Sequence, residues 1–249
     1  LATEGVRLAL CARDERELKL AADEIQIHTH ADIIAVKANT TKLNDIRRFV
    51  ETAVRKFNRI DILVNNAGGG HVGGIETTTD EEWEYHIQMK LLGYIRVARE
   101  VIPHMKKAGG GKIINVVGVA AREPSPLAMV PGVTNAALLN FTKTLSKELE
   151  PHRIQVNAVN PGATDTPLTA ETFRALAEMF QKTPQEMRKT ASELSPQGAL
   201  ATPRDVAGVV RTLIERKLMR VAGRKAVVGT PLLYRTSKEF LVRFGLDTL

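Results

Sequence analysis

The sequence predicts an α/β fold in which a doubly wound parallel sheet is flanked by helices. Short apolar, β-branched runs alternate with amphipathic helical patterns, and strands that are apolar at nearly every position are typical of a parallel sheet buried on both faces. The repeated strand–helix–strand order favours the doubly wound arrangement. At 249 residues and 43% apolar content the chain can bury one core, so we expect a single domain over 1–249.

The individual elements are predicted in chain order from their periodicity. The strand candidates are VRLALCA (6–12), DIIAVKA (32–38), IDILVNN (60–66), KIINVVG (112–118), IQVNAVN (154–160) and KAVVG (225–229). Helical patterns occupy roughly 14–27, 42–57, 80–107, 132–150, 170–190 and 203–216. Before the third helix, Thr79 and Glu82 have the spacing of a capping box. Segment 163–202, rich in Thr and Pro, is expected to be a mobile flap.

The start of the chain lacks one expected element. LATEGVRLAL reads as the end of a helix, a glycine cap at Gly5 and then a strand, whereas a dinucleotide-binding sheet begins with a strand and a glycine-rich turn that meets the pyrophosphate. Either the recorded chain is a fragment, or the first strand and its turn exist and were not included. We favour the second reading, because a sheet without that central strand would expose unpaired backbone groups.

Composition excludes several classes of protein. The net charge of +7 comes from 35 basic residues scattered among 28 acidic ones, and no nucleic-acid motif accompanies it, so we expect no nucleic-acid binding. No apolar stretch approaches the length of a membrane span and no signal sequence is visible. The single cysteine, Cys11, is expected in the core and suits a reducing cytoplasm. No residue cluster has metal-ligand spacing.

Five fragments in fixed order carry a family resemblance. They are NNAG at 65–68, Trp83, GKIINV at 111–116, ELEPHRIQVNAVNPG at 148–162 and Thr166. Together these fragments resemble the short-chain dehydrogenase/reductase family over nearly the whole chain. The resemblance implies a Rossmann-type fold, a nicotinamide dinucleotide site and a substrate-side position for the flap at 163–202.

The resemblance also implies which residues contact the cofactor. Near the adenosine ribose it places Asn66, Ala67 and Gly68, and beside the nicotinamide it places Pro161, Gly162 and Thr166. Glycines after a strand allow close approach to a ligand, although residues 68–70 fit a purely structural loop as well. Thr166 fits an N-cap equally well.

In the family, the choice between NAD(H) and NADP(H) depends on residues at the end of the second strand of the fold. In this chain that strand is the run at 6–12. Ala12 and Arg13 precede the first acid, Asp14, and an arginine there can pair with the 2′-phosphate of NADP(H). We therefore favour NADP(H) over NAD(H), with a solvated helix face as the alternative role of Arg13. Asn39 occupies the position of an aspartate that faces adenine in the family, and its amide oxygen could still accept from the adenine amine.

The four positions that carry catalysis in the family all differ here. Matching the motifs puts Lys90 at the asparagine, Gly118 at the serine, Pro131 at the tyrosine and Asn135 at the lysine. Proline, glycine and an amide cannot exchange a proton with substrate, and loss of general acid–base catalysis alone costs about 10²- to 10⁴-fold. The sequence therefore lacks the usual tetrad.

Two functions follow from this pattern. The first is an NADP(H)-binding protein without catalysis, a regulatory or structural subunit that forms a homo-oligomer or pairs with an active paralogue. The second is an NADP(H)-dependent oxidoreductase for a carbonyl or alcohol substrate with an atypical proton donor. Lys90 is the candidate donor, and His71 and His86 are weaker ones because lone histidines are usually structural. The substrate cannot be read from the sequence.

Overall fold

The computed structural model describes residues 1–215, 219–224 and 232–236, and the chain divides into two compact units, Leu1–Ala207 and Gly208–Leu249. The strands of the first unit are β1 (Leu8–Ala12), β2 (Ile33–Lys37), β3 (Ile62–Asn65), β4 (Gly111–Val116) and β5 (Ile154–Val159). Its helices are α1 (Glu15–Thr29), α2 (Leu43–Phe57), α3 (Asp80–His86), α4 (Leu92–Lys107), α5 (Met129–Leu149), α6 (Pro167–Phe180) and α7 (Pro184–Leu194).

Helix α8 (Pro203–Glu215) begins in the first unit and ends in the second. The second unit contains an antiparallel pair, β6 (Met219–Arg224) and β7 (Leu232–Thr236). The strand expected at 225–229 lies outside the described residues. Because much of the second unit is also outside them, a single domain over 1–249 stays a prediction.

All described strands of the first unit pair in parallel. β1 pairs with β2, and β4 lies between β3 and β5. Helices connect the successive strands, which confirms the predicted α/β class. Among the described residues no strand joins β1 to β3, so the two groups do not form one continuous ladder. A further strand between them stays a prediction.

The core of the first unit lies where α2, α4 and α5 pack on the three-stranded group. Ile113 on β4 and Leu149 on α5 are both fully buried. The same cluster includes Ile46, Val50, Leu63, Val97, Ala98, Val101, Met105, Leu145, Ile154 and Val156. This packing fixes the positions of β3, β4 and β5, so their carboxyl ends lie at one edge of the sheet.

The structure confirms one local prediction and contradicts two others. The capping box at Thr79 and Glu82 is confirmed, with both reciprocal hydrogen bonds present. The prediction of a continuous helix at 170–190 is wrong. The chain breaks after α6, and Thr183 and Glu186 form a second capping box that begins α7. Cys11 is exposed rather than in the core, because β1 pairs only with β2 among the described strands and so lies at an edge.

The segment predicted as a flap, 163–202, is fastened at both ends. Thr164 and Ala201 form a parallel β-bridge. The Arg188 guanidinium on α7 donates two hydrogen bonds, each 2.7 Å long, to the two oxygens of the Asp165 carboxylate. Mobility of this segment stays a prediction. None of the helices in the described ranges combines the length and apolarity that crossing a membrane requires.

Candidate functional site

The carboxyl ends of β3, β4 and β5 bring three loops to one edge of the sheet. Asn65, Val116 and Val159 end these strands in parallel register, and ligands of such sheets bind at that edge. The loops after β4 and β5 are joined directly, because the backbone N–H of Val119 donates to the carbonyl of Pro161 at 2.9 Å. These loops form the candidate site.

Lys90 enters this site from a widened helical turn. Between α3 and α4 the chain forms one π turn, Ile87–Leu91, a feature frequent at functional sites. The Nζ atom of Lys90 donates to the carbonyl of Val117 at 2.5 Å, and a Cβ atom on Gly68 would lie 4.0 Å from it. Burial lowers the pKa of Lys90 from 10.5 to about 8.

Gly118 is required by the side chain that faces it. Its φ of 126° lies in the region that favours glycine, and a Cβ atom there would meet Nδ2 of Asn135 at 2.9 Å. Asn135 is only 4% exposed. Oδ1 of Asn135 and Oγ1 of Thr134 are both buried without a hydrogen-bond partner among the described residues. A serine at 118 would therefore displace the Asn135 amide.

Pro131 lies in the first turn of α5, which begins at Met129. Its missing N–H falls where the helix needs no donor, so the proline is compatible with the fold. Asn135 follows one turn later on the same side of the helix. The structure thus brings Lys90, Gly118 and Asn135 together, with Pro131 one helical turn from Asn135.

Neither tyrosine of the first unit offers its hydroxyl to this site. The hydroxyl of Tyr85 accepts a hydrogen bond from Arg13 at the surface. Tyr94 is 1% exposed and donates its hydroxyl to the carbonyl of Val116 at 2.9 Å, and burial raises its pKa. Tyr234 lies on β7, in the second unit.

Arg13 and Asp14 are adjacent in the sequence but have different roles in the structure. Asp14 is the N-cap of α1, since its carboxylate accepts from the Glu17 N–H at 2.9 Å. Arg13 is exposed and contacts Tyr85. The acid after β1 is therefore used by the helix, and the guanidinium is left at the surface beside α3.

Asn39 already uses its amide oxygen within its own turn. Oδ1 accepts from the N–H of Thr41 at 3.0 Å and from its hydroxyl at 2.9 Å. An adenine contact through this oxygen would have to replace one of these two bonds. A role for Asn39 in cofactor binding stays a prediction.

The remaining predicted residues lie along the same edge. Asn66 and Gly68 are exposed just after β3, and Ala67 packs on the buried cluster around Tyr94. A Cβ atom on Gly162 would have no heavy atom within 4 Å, so the loop after Pro161 is open. Contacts of these residues with a cofactor stay a prediction.

Thr166 acts as the N-cap of α6. Its hydroxyl accepts from the Thr169 N–H at 3.3 Å and donates to the carbonyl of Thr164 at 3.3 Å. The capping alternative is confirmed. A contact of Thr166 with the cofactor stays a prediction.

Two histidines border the glycine loop. The rings of His71 and His86 are 5.5 Å apart in an edge-on arrangement, and a Cβ atom on Gly69 would lie 3.5 Å from the His86 ring. Burial, followed by the charge of His71, lowers the pKa of His86. His71 is held by Oγ1 of Thr78 at 3.0 Å, so both rings have structural contacts.

Sequence reasoning missed a buried polar chain beneath the site. The amide of Asn65 donates to Oδ1 of Asn115 at 2.9 Å, and the amide of Asn115 donates to Thr142 Oγ1 at 2.8 Å. Thr142 then donates to the carbonyl of Leu138. These bonds tie β3, β4 and α5 together below Lys90 and Asn135. The available signal was an asparagine in each of two mostly apolar strands.

Two family models match parts of this chain. Residues 1–177 match the model of a family described as short chain dehydrogenase. Residues 203–249 match a second model, described as segregation and condensation complex subunit ScpB, which covers too little of the chain to assign a family.

Among curated proteins, 3-oxoacyl-[acyl-carrier-protein] reductase FabG of Thermotoga maritima is 34% identical over 191 residues, 77% of this chain and 72% of the relative. L-sorbose reductase from Gluconobacter frateurii, solved with NADPH and L-sorbose, is 30% identical with a TM-score of 0.80 and covers 86% of this chain and 81% of its own. The 3-ketoacyl-(acyl-carrier-protein) reductase from Brucella melitensis, solved with NADH, is 32% identical with a TM-score of 0.75, covering 86% and 82%.

These likenesses confirm the Rossmann-like α/β fold that the sequence predicts. The family model spans well over half of the chain, and the relatives match it over most of their own length. The chain belongs to the short-chain dehydrogenase/reductase family.

Proposed function

We propose that this chain binds NADP(H) without carrying out the family's usual carbonyl reduction, and that it acts as a non-catalytic or regulatory subunit. The proposal rests on Pro131, which stands in the first turn of α5 at the position matched to the proton-donating tyrosine. A proline ring has no proton to transfer. Of the two tyrosines in the first unit, Tyr85 is at the surface and Tyr94 is buried against Val116, so neither replaces it.

The shape and polarity of the site fit a nicotinamide nucleotide. The edge carries open glycines at Gly68 and Gly162, which permit close approach of a ligand. Three side-chain atoms are buried without a described partner, namely Asn135 Oδ1, Thr134 Oγ1 and Asn160 Oδ1. Buried polar atoms of this kind normally have a partner. In both candidate functions this chain's residues would bind and orient the nucleotide, and only in the catalytic one would it supply a hydride.

We assign NADP(H) ahead of NAD(H) on the basis of Arg13. Its guanidinium lies at the surface after β1, while the neighbouring acid, Asp14, is engaged as a helix cap. A free guanidinium attracts a 2′-phosphate, whereas a free carboxylate would repel it. One solved relative was crystallised with NADPH and another with NADH, so relatives alone do not decide the cofactor.

A second candidate function is favoured by Lys90. Its ammonium is in the site, and burial lowers its pKa to about 8, near the range suited to general acid catalysis at neutral pH. In this case the chain is an NADP(H)-dependent oxidoreductase for a carbonyl or alcohol substrate, and Lys90 gives a proton to the developing alkoxide oxygen. Membership in a family of dehydrogenases and reductases favours this candidate over the first.

We also propose that the chain works in an assembly in the cytoplasm. α4 and α5 are the longest helices of the described first unit, and either a second copy or an active paralogue could pack on them. Light scattering of the purified chain, alone and mixed with a paralogue, tests this. A chain that stays monomeric in both samples contradicts it.

The central experiment separates binding from turnover. Purified protein is titrated with NADPH and NADH by fluorescence and then assayed with ketones, aldehydes and alcohols. Binding of NADPH without turnover supports the non-catalytic proposal. Turnover that Lys90→Ala abolishes supports the second candidate, and the absence of any nucleotide binding contradicts both.

A further inference from the structure

The π turn that carries Lys90 is held by a side chain from outside its helix. The turn is closed by the N–H of Leu92, which donates to the carbonyl of Ile87, five residues back rather than four. Within the turn, the carbonyl of Met89 accepts a hydrogen bond from the hydroxyl of Thr40 at 2.9 Å. Because Thr40 lies in the loop after β2, a different element of the fold bonds to the backbone of the widened turn.

The loop after β2 can approach the helix this closely because residue 93 is a glycine. Gly93 is buried in the first turn of α4. A Cβ atom there would lie 3.0 Å from Cβ of Thr40 and 3.3 Å from its Oγ1. A methyl group at 93 would therefore press on the threonine whose hydroxyl reaches Met89.

Arg96 joins the same two segments a second time. Its guanidinium donates to Oε1 of Gln88 at 2.7 Å and to the carbonyl of Thr41 at 3.3 Å. Gln88 belongs to the π turn, and Thr41 follows Thr40 in the loop after β2. The loop and the turn are thus connected at two points, by a hydroxyl and by a guanidinium.

The number of residues in this turn decides where the Lys90 side chain lies. Successive residues of an α-helix are about 100° apart around its axis, and a π turn holds about one residue more than an α turn. Conversion of the π turn to an α turn would therefore rotate Lys90 by about 100° relative to α4. The hydrogen bond from its ammonium to the carbonyl of Val117 requires the present direction. Side chains that insert into a helix ladder are a known cause of such distortions.

We propose that Thr40 is a positioning residue for Lys90, since its hydrogen bond to the Met89 carbonyl stabilises the π turn and so keeps the ammonium at the carboxyl end of β4. Arg96 supports the same turn. The bearing of this on proton transfer rests on the second candidate function, in which Lys90 is the donor. The position of the ammonium can be measured without turnover.

The test compares Thr40→Val, which removes the hydroxyl and keeps the shape of the side chain, with Thr40→Ser, which keeps the hydroxyl. Thr52→Val is the matched control, because the Thr52 hydroxyl also donates to a helix carbonyl, that of Arg48, at 2.7 Å. The full chain with isotope-labelled lysine and glycine is studied by NMR. One signal is the Overhauser contact between the side chains' region of Lys90 and Gly68, where a Cβ atom would lie 4.0 Å from Nζ. The other is the pKa of the ammonium.

Wild type and Thr40→Ser should both show the contact with Gly68 and a Lys90 pKa of about 8. In Thr40→Val the contact should be lost and the pKa should rise by about one unit or more, because a lysine that leaves its buried position regains hydration. Thr52→Val should match the wild type in both signals. A Thr40→Val protein that keeps both signals overturns the proposal, and so does a Thr40→Ser protein that loses them.

Gly93→Ala provides an independent check on the same contact. Alanine favours a helix more than glycine does, so the change does not weaken the helix by itself, but its methyl group would press on Thr40. We expect the contact between Lys90 and Gly68 to weaken as it does in Thr40→Val. A folded Gly93→Ala protein that keeps this contact at wild-type strength counts against the proposal.

Turnover measurements separate this inference from the second candidate function. A wild type that reduces no carbonyl contradicts that candidate, and the NMR signals then decide the role of Thr40 alone. If the wild type is active, Thr40→Val should lower kcat by about tenfold or more, with a smaller change in KM for NADPH and with recovery in Thr40→Ser. An unchanged kcat in a Thr40→Val protein whose Lys90 has moved overturns the link between this position and proton transfer.

Discussion

The buried ammonium of Lys90 makes stability depend on pH in a way that one substitution can isolate. Burial lowers the pKa of Lys90 from 10.5 to about 8. Below about pH 8 the side chain is charged in both the folded and the unfolded chain, and the folded state bears the full cost of burying the charge. Between the two pKa values the unfolded state binds more protons, so stability rises with pH.

The size of this effect follows from the two pKa values. At about 1.36 kcal/mol for each pKa unit, the full cost is about 3 kcal/mol, and about 2 kcal/mol of it is recovered between about pH 7 and about pH 9.5. Lys90→Met removes this pH dependence. It also leaves the carbonyl of Val117 without its donor, a cost of about 1–3 kcal/mol that does not vary with pH.

Urea denaturation of the unliganded protein measures the prediction. The free energy of unfolding of the wild type minus that of Lys90→Met should increase by about 2 kcal/mol from about pH 7 to about pH 9.5. Lys106→Met, which removes an exposed lysine from α4, should show no such trend. A difference for Lys90→Met that stays flat over this range would mean that its ammonium is solvated, and the second candidate function would lose the lowered pKa on which it depends.

Three further changes test other parts of the site. Arg13→Ala should weaken NADPH about tenfold or more while leaving NADH nearly unchanged, because only the former carries a 2′-phosphate; equal effects in a fluorescence titration would refute that role. Asn115→Leu leaves the amide of Asn65 without its acceptor and removes the donor to Thr142, and urea denaturation should show a loss of about 1–3 kcal/mol. Thr79→Ala breaks the capping box of α3 and should lower stability by about 1 kcal/mol, with Thr79→Ser largely restoring it.

Much of the first unit could be predicted because its strands are short, mostly apolar runs separated by amphipathic helices. The five predicted strands there coincide with β1 to β5 to within three residues at each end, since nearly continuous apolar runs are required wherever helices cover both sides of a sheet. The break between α6 and α7 was missed although its signal was present. Thr183, Pro184 and Glu186 have the spacing of a helix start, but weak periodicity on both sides concealed it.

The site was predicted less completely because its geometry depends on features that periodicity does not report. The sequence predicted a role for Lys90 in the site, but it did not predict the π turn that carries this residue. One inserted residue in a helix turn changes the direction of a side chain without changing its apolar pattern. Similarly, the unsatisfied oxygen of Asn135 became visible only once Gly118 was seen to face its amide.

Binding and catalysis place different demands on this site, and the proposed function separates them. Holding a ligand needs donors and acceptors at fixed positions, and the Lys90 ammonium and the unpaired Asn135 oxygen are a donor and an acceptor of this kind. Carbonyl reduction needs in addition a proton delivered to the substrate oxygen as the hydride arrives, and Pro131 removes the group that resemblance places there. Under the proposed function, a chain with these residues is therefore expected to bind the nucleotide without reducing a carbonyl, and turnover by the purified protein would contradict that expectation.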